Sequence, residues 1–471
     1  MSTVPDSENL RSFPREVFPE TPRDPSCMDV KVLLSVPNLW MNRYKKTITS
    51  IFIALYPIVP SYTRIAGVPV YKLLVITYAL AYLFVCRIPR RNIGLIVSVV
   101  GLWIIANLYH FSASGLMNVV IDYILVMIPL LDYFTSKEKV EEGLEIILKC
   151  SMLMCICGIS NFITKKNIFS IIYNGSELDA TPDLQMRGTL ARSEASFAHA
   201  IPFGIYLSVN ALFALYFYNK TKEKKYKYMF ILLVITLLTT ISRAPILIFF
   251  AVVLLFLGMM GLKKLVTGVI RGIAAFVIML AVLYFALPNV FNNLSFIVNA
   301  VLGIFSDNAL ARTGAFEDAN PFTYRLSLYS SIGNLLSGHW IFGNGSVVQS
   351  FYYGNVLHSS IDNAYLAWLV RYGLVGLLAN VIPLAGALII SFKRRKKDRI
   401  YILFFAVSMI FMLNWFSVAR LSEARLWAIV YLMIWGLRDV EKVVDLEHYR
   451  KLLHYGGEYD LNISMSYSVG K

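Results

Sequence analysis

Charged residues are scarce in this chain, and their scarcity excludes an ordinary water-soluble protein. Only 15% of its 471 residues are charged and 57% are hydrophobic, with a mean hydropathy of +0.61. A soluble chain carries about a quarter charged residues. Apolar runs long enough to cross a bilayer recur along the sequence, so the predicted fold is all-α, a polytopic membrane bundle of about twelve transmembrane helices.

Cysteine is also rare, and no disulfide framework is expected from five cysteines of which four lie in or beside apolar runs. Cys155 and Cys157 are separated by one residue, which is not the spacing of a metal-binding pair. The sequence has no glycine-rich nucleotide loop, no zinc spacing and no acidic cation cluster. No metal and no cofactor are therefore expected.

The net charge of +15 is concentrated in four short stretches between apolar runs, which carry +3, +4, +3 and +5. This is the positive-inside distribution of cytoplasmic loops, and it argues against a nucleic-acid-binding face. The four stretches are Arg87–Arg91, Lys220–Lys227, Lys263–Arg271 and Lys393–Arg399.

The basic loops also predict the topology, because all of them are cytoplasmic if both termini are cytoplasmic. The transmembrane bundle is predicted over residues 47–437, between a disordered cytoplasmic tail at 1–46 and a second cytoplasmic tail at 438–471. No cleavable signal peptide is recognisable, so the first span is expected to direct insertion. Two outer loops are long, at residues 164–196 and 288–363.

The larger outer loop has the features of a structured segment. Leu294–Phe305 and Phe322–Leu336 are apolar with helical spacing, which predicts amphipathic helices lying over the bundle. Gly343, Gly345 and Gly354 indicate a tight turn. A structureless loop of this length would be unusual, so we expect function to reside there.

A short hairpin between two spans places an arginine at the start of a helix. Ser242 is suited to the N-cap position, and Pro245 is tolerated in the first turn that follows. Arg243 is then at the positive end of the helix dipole, where an anion can bind. The alternative is an arginine whose side chain reaches lipid phosphate.

Arginines also occur in both long outer loops. Arg187 and Arg192 precede a span that begins near His199, and arginine is suited to a bidentate grip on phosphate. The alternative is a pair of solvated loop charges, and His199 is expected to be a satisfied interfacial residue. Arg325 lies on an otherwise apolar helical face, where it could act on substrate or pair with Glu317 or Asp318.

His358 and Asp362 close the larger loop, and their spacing of four would place them on one face if this segment were helical. A histidine oriented by a carboxylate can act as a general base. Asp122 lies inside a predicted span and needs a polar partner.

These features occur together in one known family. They are the Ser242–Arg243 hairpin, the helix bearing Arg325, and the Gly-x-Gly turn after an aromatic residue. The last feature is a motif that contains His358, Asn363, Tyr365, Leu366, Gly373, Leu374 and Gly376. Over roughly Arg187 to Gly376 the chain resembles the bacterial O-antigen polymerase and O-antigen ligase superfamily. One departure is Arg371, at a position that is often acidic in the family.

The resemblance implies an outward-facing, metal-independent glycosyltransferase of the bacterial inner membrane. Its donor would be an undecaprenyl-diphosphate-linked oligosaccharide, and its partners would be membrane lipids and a chain-length regulator. By position, Arg243, Arg325, Arg187 and His358 match functional residues of the family. The predicted catalytic residues are His358, Arg243 and Arg325, and the predicted substrate-binding residues are Arg187, Arg192, Asp362, Asn363 and Tyr365.

The motifs leave several functions open. A polymerase of O-antigen, capsule or exopolysaccharide repeat units is the leading interpretation, and a ligase that transfers glycan to lipid A–core is the close alternative. A polysaccharide flippase or transporter would need a central cationic cavity and paired broken helices, whereas the sequence concentrates its candidate charges in one outer cap. A structural partner in an assembly complex is the remaining alternative.

Overall fold

The structure is a computed structural model that describes residues 26–85, 92–110, 112–172, 186–187, 190–286, 328–329, 332–336, 338–345, 351–353, 356–358, 361–418 and 424–438. Arg325, its possible partners Glu317 and Asp318, and the predicted helix Leu294–Phe305 lie outside these residues. The chain divides into two compact units, Met1–Lys45 and Lys46–Lys471.

Most of the described residues are helical. In chain order the helices are α1 (Ser26–Leu55), α2 (Val70–Leu83), α3 (Ile93–Tyr109), α4 (Ala113–Val119), a π-helical turn (Val120–Ile124), α5 (Leu125–Tyr133), α6 (Lys137–Thr164), a 3-10 turn (Ile168–Ile172), α7 (Ala200–Thr221), α8 (Lys224–Thr239), α9 (Arg243–Met259), α10 (Leu262–Ala286), α11 (Ala364–Arg394), α12 (Arg399–Asn414) and α13 (residues 424–438).

The first unit contains the beginning of α1, where Trp40 and Tyr44 stack with ring centroids 5.4 Å apart. The prediction of a disordered tail up to residue 46 does not hold for residues 26–46, which are helical. The physical reason is that residues 38–46 contain neither proline nor glycine, so nothing ends the helix directly upstream of the first span.

Among the described residues, four helical segments are long and apolar enough to cross a membrane. They are Ala113–Tyr133, Lys137–Thr164, Ala200–Thr221 and Ala364–Arg394. Four shorter apolar helices accompany them, namely α2, α3, α9 and α12. A helical membrane protein is therefore the class that the structure supports, while the number of about twelve spans stays a prediction.

Helix α7 is the centre of the bundle, because it is buried along nearly its whole length. It packs against α6, α8, α9 and α12, and α11 packs against α3 and α12. Three residues connect α8 to α9, so these helices form a hairpin beside the start of α7. This arrangement brings the segment before α7 and the α8–α9 hairpin to one end of α7.

The described residues also contain three short antiparallel hairpins, which the prediction of a helical bundle did not include. Strands β1 (Arg64–Ile65) and β2 (Val68–Pro69) form the first, and β3 (Met186–Arg187) and β4 (Leu190–Ala191) form the second. In the larger loop, β5 (Phe351–Tyr353) pairs with β6 (Val356–His358). Aromatic and β-branched residues flank the dipeptide Gly354–Asn355 there, a pattern that favours a tight two-residue turn over a helix.

Candidate functional site

The α8–α9 hairpin places Arg243 as the first residue of α9, as the sequence predicts. Ile241 has a φ of +48°, a left-handed conformation that is rare for a β-branched residue and stores backbone strain. Ser242 is at the N-cap position, but its side chain makes no capping hydrogen bond to α9. The hydroxyl is engaged elsewhere, which leaves the helix start without the expected side-chain cap.

The partner of Ser242 is Arg192. Its Nη2 donates to Ser242 Oγ at 2.9 Å, and its Nε donates to the carbonyl oxygen of Thr240 at 3.2 Å. Arg192 is only 7% exposed, so it is not the solvated loop charge that the sequence left open. A guanidinium from the segment before α7 thus holds the α8–α9 hairpin from inside the protein.

The electrostatics of Arg192 link it to two further charged groups. Burial lowers the pKa of Arg192 below its ordinary value, the carboxylate of Glu194 opposes this shift, and the positive charge of Arg243 adds to it. The two arginines therefore lie close enough to repel each other. Arg243 is the one of the two that can meet an anion, because Arg192 is buried and already donates to Thr240 and Ser242.

Glu194 is a charged residue that sequence reasoning missed. It is 1% exposed, and its carboxylate acts electrostatically on both Arg192 and Tyr62. A carboxylate two residues after an arginine, in a stretch otherwise without charges before a span, was the available signal. A charged group that is buried this completely needs a charged or hydrogen-bonded partner, so Glu194 and Arg192 belong to one arrangement.

The loop that carries Arg192 and Glu194 is fixed by contacts to the bundle. The Ser193 amide donates to the Thr239 carbonyl at 3.1 Å, and its hydroxyl donates to the Gly158 carbonyl at 2.7 Å. His199 caps the start of α7, where its Nδ1 accepts from the Ile201 amide at 3.1 Å. His199 is therefore satisfied structurally, as expected from the sequence.

A second region of the site is the turn at residues 338–345, which inserts into a kink of α11. Gly373 interrupts α11 with a φ of +65°, and the amide of Leu374 donates to the Trp340 carbonyl at 2.8 Å. The amide of Gly345 donates to the Arg371 carbonyl at 2.8 Å. These bonds satisfy backbone groups that the kink frees from the helix.

The close backbone approach explains two glycines of the family series. A Cβ on Gly343 would lie 2.5 Å from the Arg371 carbonyl carbon, and one on Gly373 would lie 2.2 Å from the Ile341 oxygen. Both positions also have positive φ, which other residues rarely adopt. The predicted tight turn at Gly343 and Gly345 is confirmed, and its role is to clamp the kinked helix.

The start of α11 is held by Asn363 and Tyr365. The Asn363 side chain caps the helix by accepting from the Leu366 amide at 3.1 Å, and its Nδ2 donates to the Tyr329 hydroxyl at 2.9 Å. The Tyr365 hydroxyl donates to the Met412 carbonyl at 2.9 Å. The apolar cluster that joins this helix start to the larger loop contains Leu328, Leu335, Leu336, Ile361, Leu366, Ala367 and Val370.

The remaining predicted site residues are Arg187, His358, Asp362 and Arg325. Arg187 is in β3, paired with Leu190, and His358 ends β6, paired with Phe351. Because His358 is in a strand, the helical spacing argument that joined it to Asp362 does not apply. Asp362 is exposed, and Arg325 lies outside the described residues.

Comparison with known families bears on the segment that contains the hairpin and the kink. Residues 228–381 match the O-antigen ligase family. The match begins in α8 and ends within α11, so it includes Ser242, Arg243 and the clamp between Gly343 and Gly373. It confirms the resemblance to the O-antigen polymerase and ligase superfamily. The match indicates a membrane enzyme of that type.

No curated protein matches the chain. Arg187, Arg192 and Glu194 precede the matched segment of the O-antigen ligase family and are placed beside it only by the fold. Within the described residues, no three His, Cys, Asp or Glu side chains converge into a metal-binding group.

Proposed function

We propose that this protein is a membrane glycosyltransferase that polymerises undecaprenyl-diphosphate-linked oligosaccharide repeat units at the outer face of the bacterial inner membrane. In this proposal the chain has about twelve spans, with both termini in the cytoplasm and the α8–α9 hairpin outside. The observation that carries the proposal is the buried Arg192 beside Arg243 at the start of α9, within or next to the segment that matches the O-antigen ligase family.

The proposed reaction needs positive charge where the diphosphate leaves. A hydroxyl oxygen of the acceptor sugar attacks the anomeric carbon of the donor, and the bond from that carbon to the diphosphate oxygen breaks. The electron pair goes to the leaving diphosphate, whose negative charge increases in the transition state. Guanidinium groups and helix N–H groups at membrane depth stabilise such a charge strongly, because little water competes there.

Arg243 is proposed to contact the diphosphate, and Arg192 is proposed as a positioning residue. Arg192 donates to Ser242 and Thr240, so it holds the hairpin in a strained conformation with Ser242 turned away from the start of α9. The backbone N–H groups of that helix start then face the same region as Arg243. Arg187 and Arg325 are proposed to complete the grip on the donor.

The proton of the acceptor hydroxyl is assigned to His358. In this proposal His358 accepts that proton as the new bond forms, and Asp362 orients it or the acceptor. Asn363 and Tyr365 were predicted to bind substrate. Their hydrogen bonds to Leu366, Tyr329 and Met412 favour a positioning role at the start of α11.

The test uses purified protein and lipid-linked repeat units in the presence of EDTA. We expect chain elongation, seen as a ladder of lipid-linked products, and we expect its loss in Arg243→Ala and in His358→Ala with folded protein retained. Arg271→Ala is the matched control, because Arg271 is an exposed arginine of α10. Full elongation by both site variants would refute the assignment, and strict dependence on a divalent cation would refute the metal-independent mechanism.

The ligase alternative differs only in the acceptor, and the family match supports it equally. Deletion of the gene separates the two functions. Loss of a polymerase leaves a single repeat unit on the final glycan, whereas loss of a ligase leaves long lipid-linked glycan that never reaches lipid A–core.

A further inference from the structure

A cavity of about 270 Å³ lies at the end of the bundle opposite the candidate site. It is bounded by the beginning of α6, the last turns of α7, the residue after α9 and the α11–α12 connection. Because α7 has 22 residues that rise about 1.5 Å each, the two ends are separated by roughly the thickness of a bilayer core. The residues that line the cavity are Lys137, Tyr216, Asn219, Lys220, Met260, Lys397, Asp398 and Arg399.

The cavity is strongly cationic, with four basic residues and one acid in its lining. Two of the bases have carboxylate partners: Lys137 pairs with Asp398, and Lys220 pairs with Glu141 at 2.5 Å. Lys397 and Arg399 have no ion pair with any carboxylate in the part of the chain that the structure describes. The cavity therefore presents Lys397, from the α11–α12 connection, and Arg399, the first residue of α12, beside two bases that already have carboxylate partners.

Apolar residues close in sequence to the cavity lining are exposed. Leu262, two residues after Met260, is 74% exposed, and Phe392, near the end of α11, is 46% exposed. The guanidinium of Arg395 lies over the Phe392 ring at 3.7 Å, as expected for a basic side chain that extends along apolar surface toward the membrane boundary. Exposed apolar side chains next to a basic cavity suit a ligand with both a phosphate and acyl chains.

We propose that this cavity binds the phosphate headgroup of an anionic phospholipid in the cytoplasmic leaflet. Lys397 and Arg399 contact the phosphate, and the Asn219 side-chain oxygen accepts a hydrogen bond from the rest of the headgroup, while the Tyr216 hydroxyl already donates to Glu141 at 2.6 Å. Leu262 and Phe392 contact the acyl chains. The bound lipid would join the α11–α12 connection to the end of α7, and so stabilise the bundle at the end away from the candidate site.

The experiment uses the full-length protein in nanodiscs of phosphatidylcholine with increasing phosphatidylglycerol. Native mass spectrometry counts the lipids retained after release, and thermal unfolding reports their stabilising effect. We expect preferential retention of phosphatidylglycerol, reduced about tenfold in Lys397→Gln/Arg399→Gln because each basic residue near a membrane surface contributes appreciably to anionic lipid binding. Lys397→Gln alone should show a smaller loss and serves if the double variant does not fold.

The matched control is Lys393→Gln/Lys396→Gln, which removes the same charge from exposed residues that do not line the cavity. It should retain the preference for phosphatidylglycerol. Equal loss in the control and the cavity variant would overturn the proposal in favour of a diffuse basic surface. Equal stabilisation of detergent-solubilised protein by inorganic phosphate would overturn the lipid assignment in favour of a free anion. Neither outcome depends on the proposed glycosyltransferase activity.

Discussion

The two ends of helix α7 are both rich in basic residues, yet they are built in opposite ways. At the candidate site, Arg192 is 7% exposed and is held by backbone and hydroxyl acceptors. At the far end, the side chain of Lys220 is 43% exposed and pairs with a carboxylate. Burial makes the first arrangement costly to disturb, whereas exposure makes the second tolerant and adjustable.

The two ends of α7 also differ in how the protein stabilises a charged side chain. A buried arginine must be satisfied by the fold itself, so its position is fixed to within a hydrogen bond. Exposed lysines near the membrane boundary keep their hydration and can exchange partners. A rigid cation suits catalysis on a diphosphate, and an adjustable one suits an exchangeable lipid.

The largest expected effect is at the clamp between the 338–345 turn and α11. Gly343→Ala places a Cβ 2.5 Å from backbone atoms of Arg371 and Gly373, which no side-chain rotation can relieve. We expect a destabilisation beyond about 5 kcal/mol, and hence little folded protein by size-exclusion chromatography.

Gly333→Ala is the control for the clamp, because a Cβ at Gly333 meets nothing within 4 Å. This variant should have a normal yield and a slightly raised Tm, since alanine favours the helical residues 332–336. A normal yield for Gly343→Ala would show that the clamp is not needed for folding.

The second largest loss of stability is expected on replacing the buried Arg192 of the candidate site. Arg192→Leu leaves Glu194 buried without its nearby guanidinium and frees the hairpin, so we expect a loss of about 3 to 5 kcal/mol of stability together with loss of activity. Thermal unfolding and the elongation assay measure the two. Arg192→Lys should recover part of the stability but not the activity, because lysine lacks the planar fork that reaches both Thr240 and Ser242.

A moderate loss of stability is expected on removing the N-cap of α11. Asn363→Ala removes the cap of α11 and the bond to Tyr329, and we expect a loss of about 1 to 2 kcal/mol by thermal unfolding. Asn363→Asp keeps the capping oxygen and should recover most of the stability. If Asn363→Asp lost activity at full stability, the amide would have a direct role in substrate binding.

The smallest effect is expected at the far end. Lys220→Gln removes the half-exposed lysine of the ion pair with Glu141, and it should change stability by less than about 1 kcal/mol in thermal unfolding because Glu141 keeps the hydrogen bond from the Tyr216 hydroxyl. The difference from wild type should shrink further at high salt, because exposed charges are screened. A loss comparable to that of Arg192→Leu would contradict the contrast between the two ends of α7.

Local sequence signals predicted the parts of the site that local chemistry determines. Ser242 and Pro245 indicated the start of α9, Gly343 indicated the turn, and Asn363 preceded a run of apolar residues that forms α11. The family match to residues 228–381 covers these same features. Each of them depends on residues that are neighbours in the chain.

The sequence could not reveal contacts between distant segments. The bond between Arg192 and Ser242 joins residues that are 50 positions apart, and it turns an expected cap into an acceptor for a buried arginine. Glu194 became relevant only because the same packing buries it. The spacing of His358 and Asp362 was misleading for a related reason, since pairing of β6 with β5 overrides the helical period there.

Binding of undecaprenyl diphosphate to the purified protein tests the central claim most directly, because it needs no knowledge of the sugar. Affinity is measured for wild type, Arg243→Gln and the control Arg271→Gln in the same detergent. Loss of one charge-assisted contact to the diphosphate predicts an affinity at least about tenfold lower for Arg243→Gln, with the control unchanged. Equal affinity of all three proteins would contradict a diphosphate site at the start of α9.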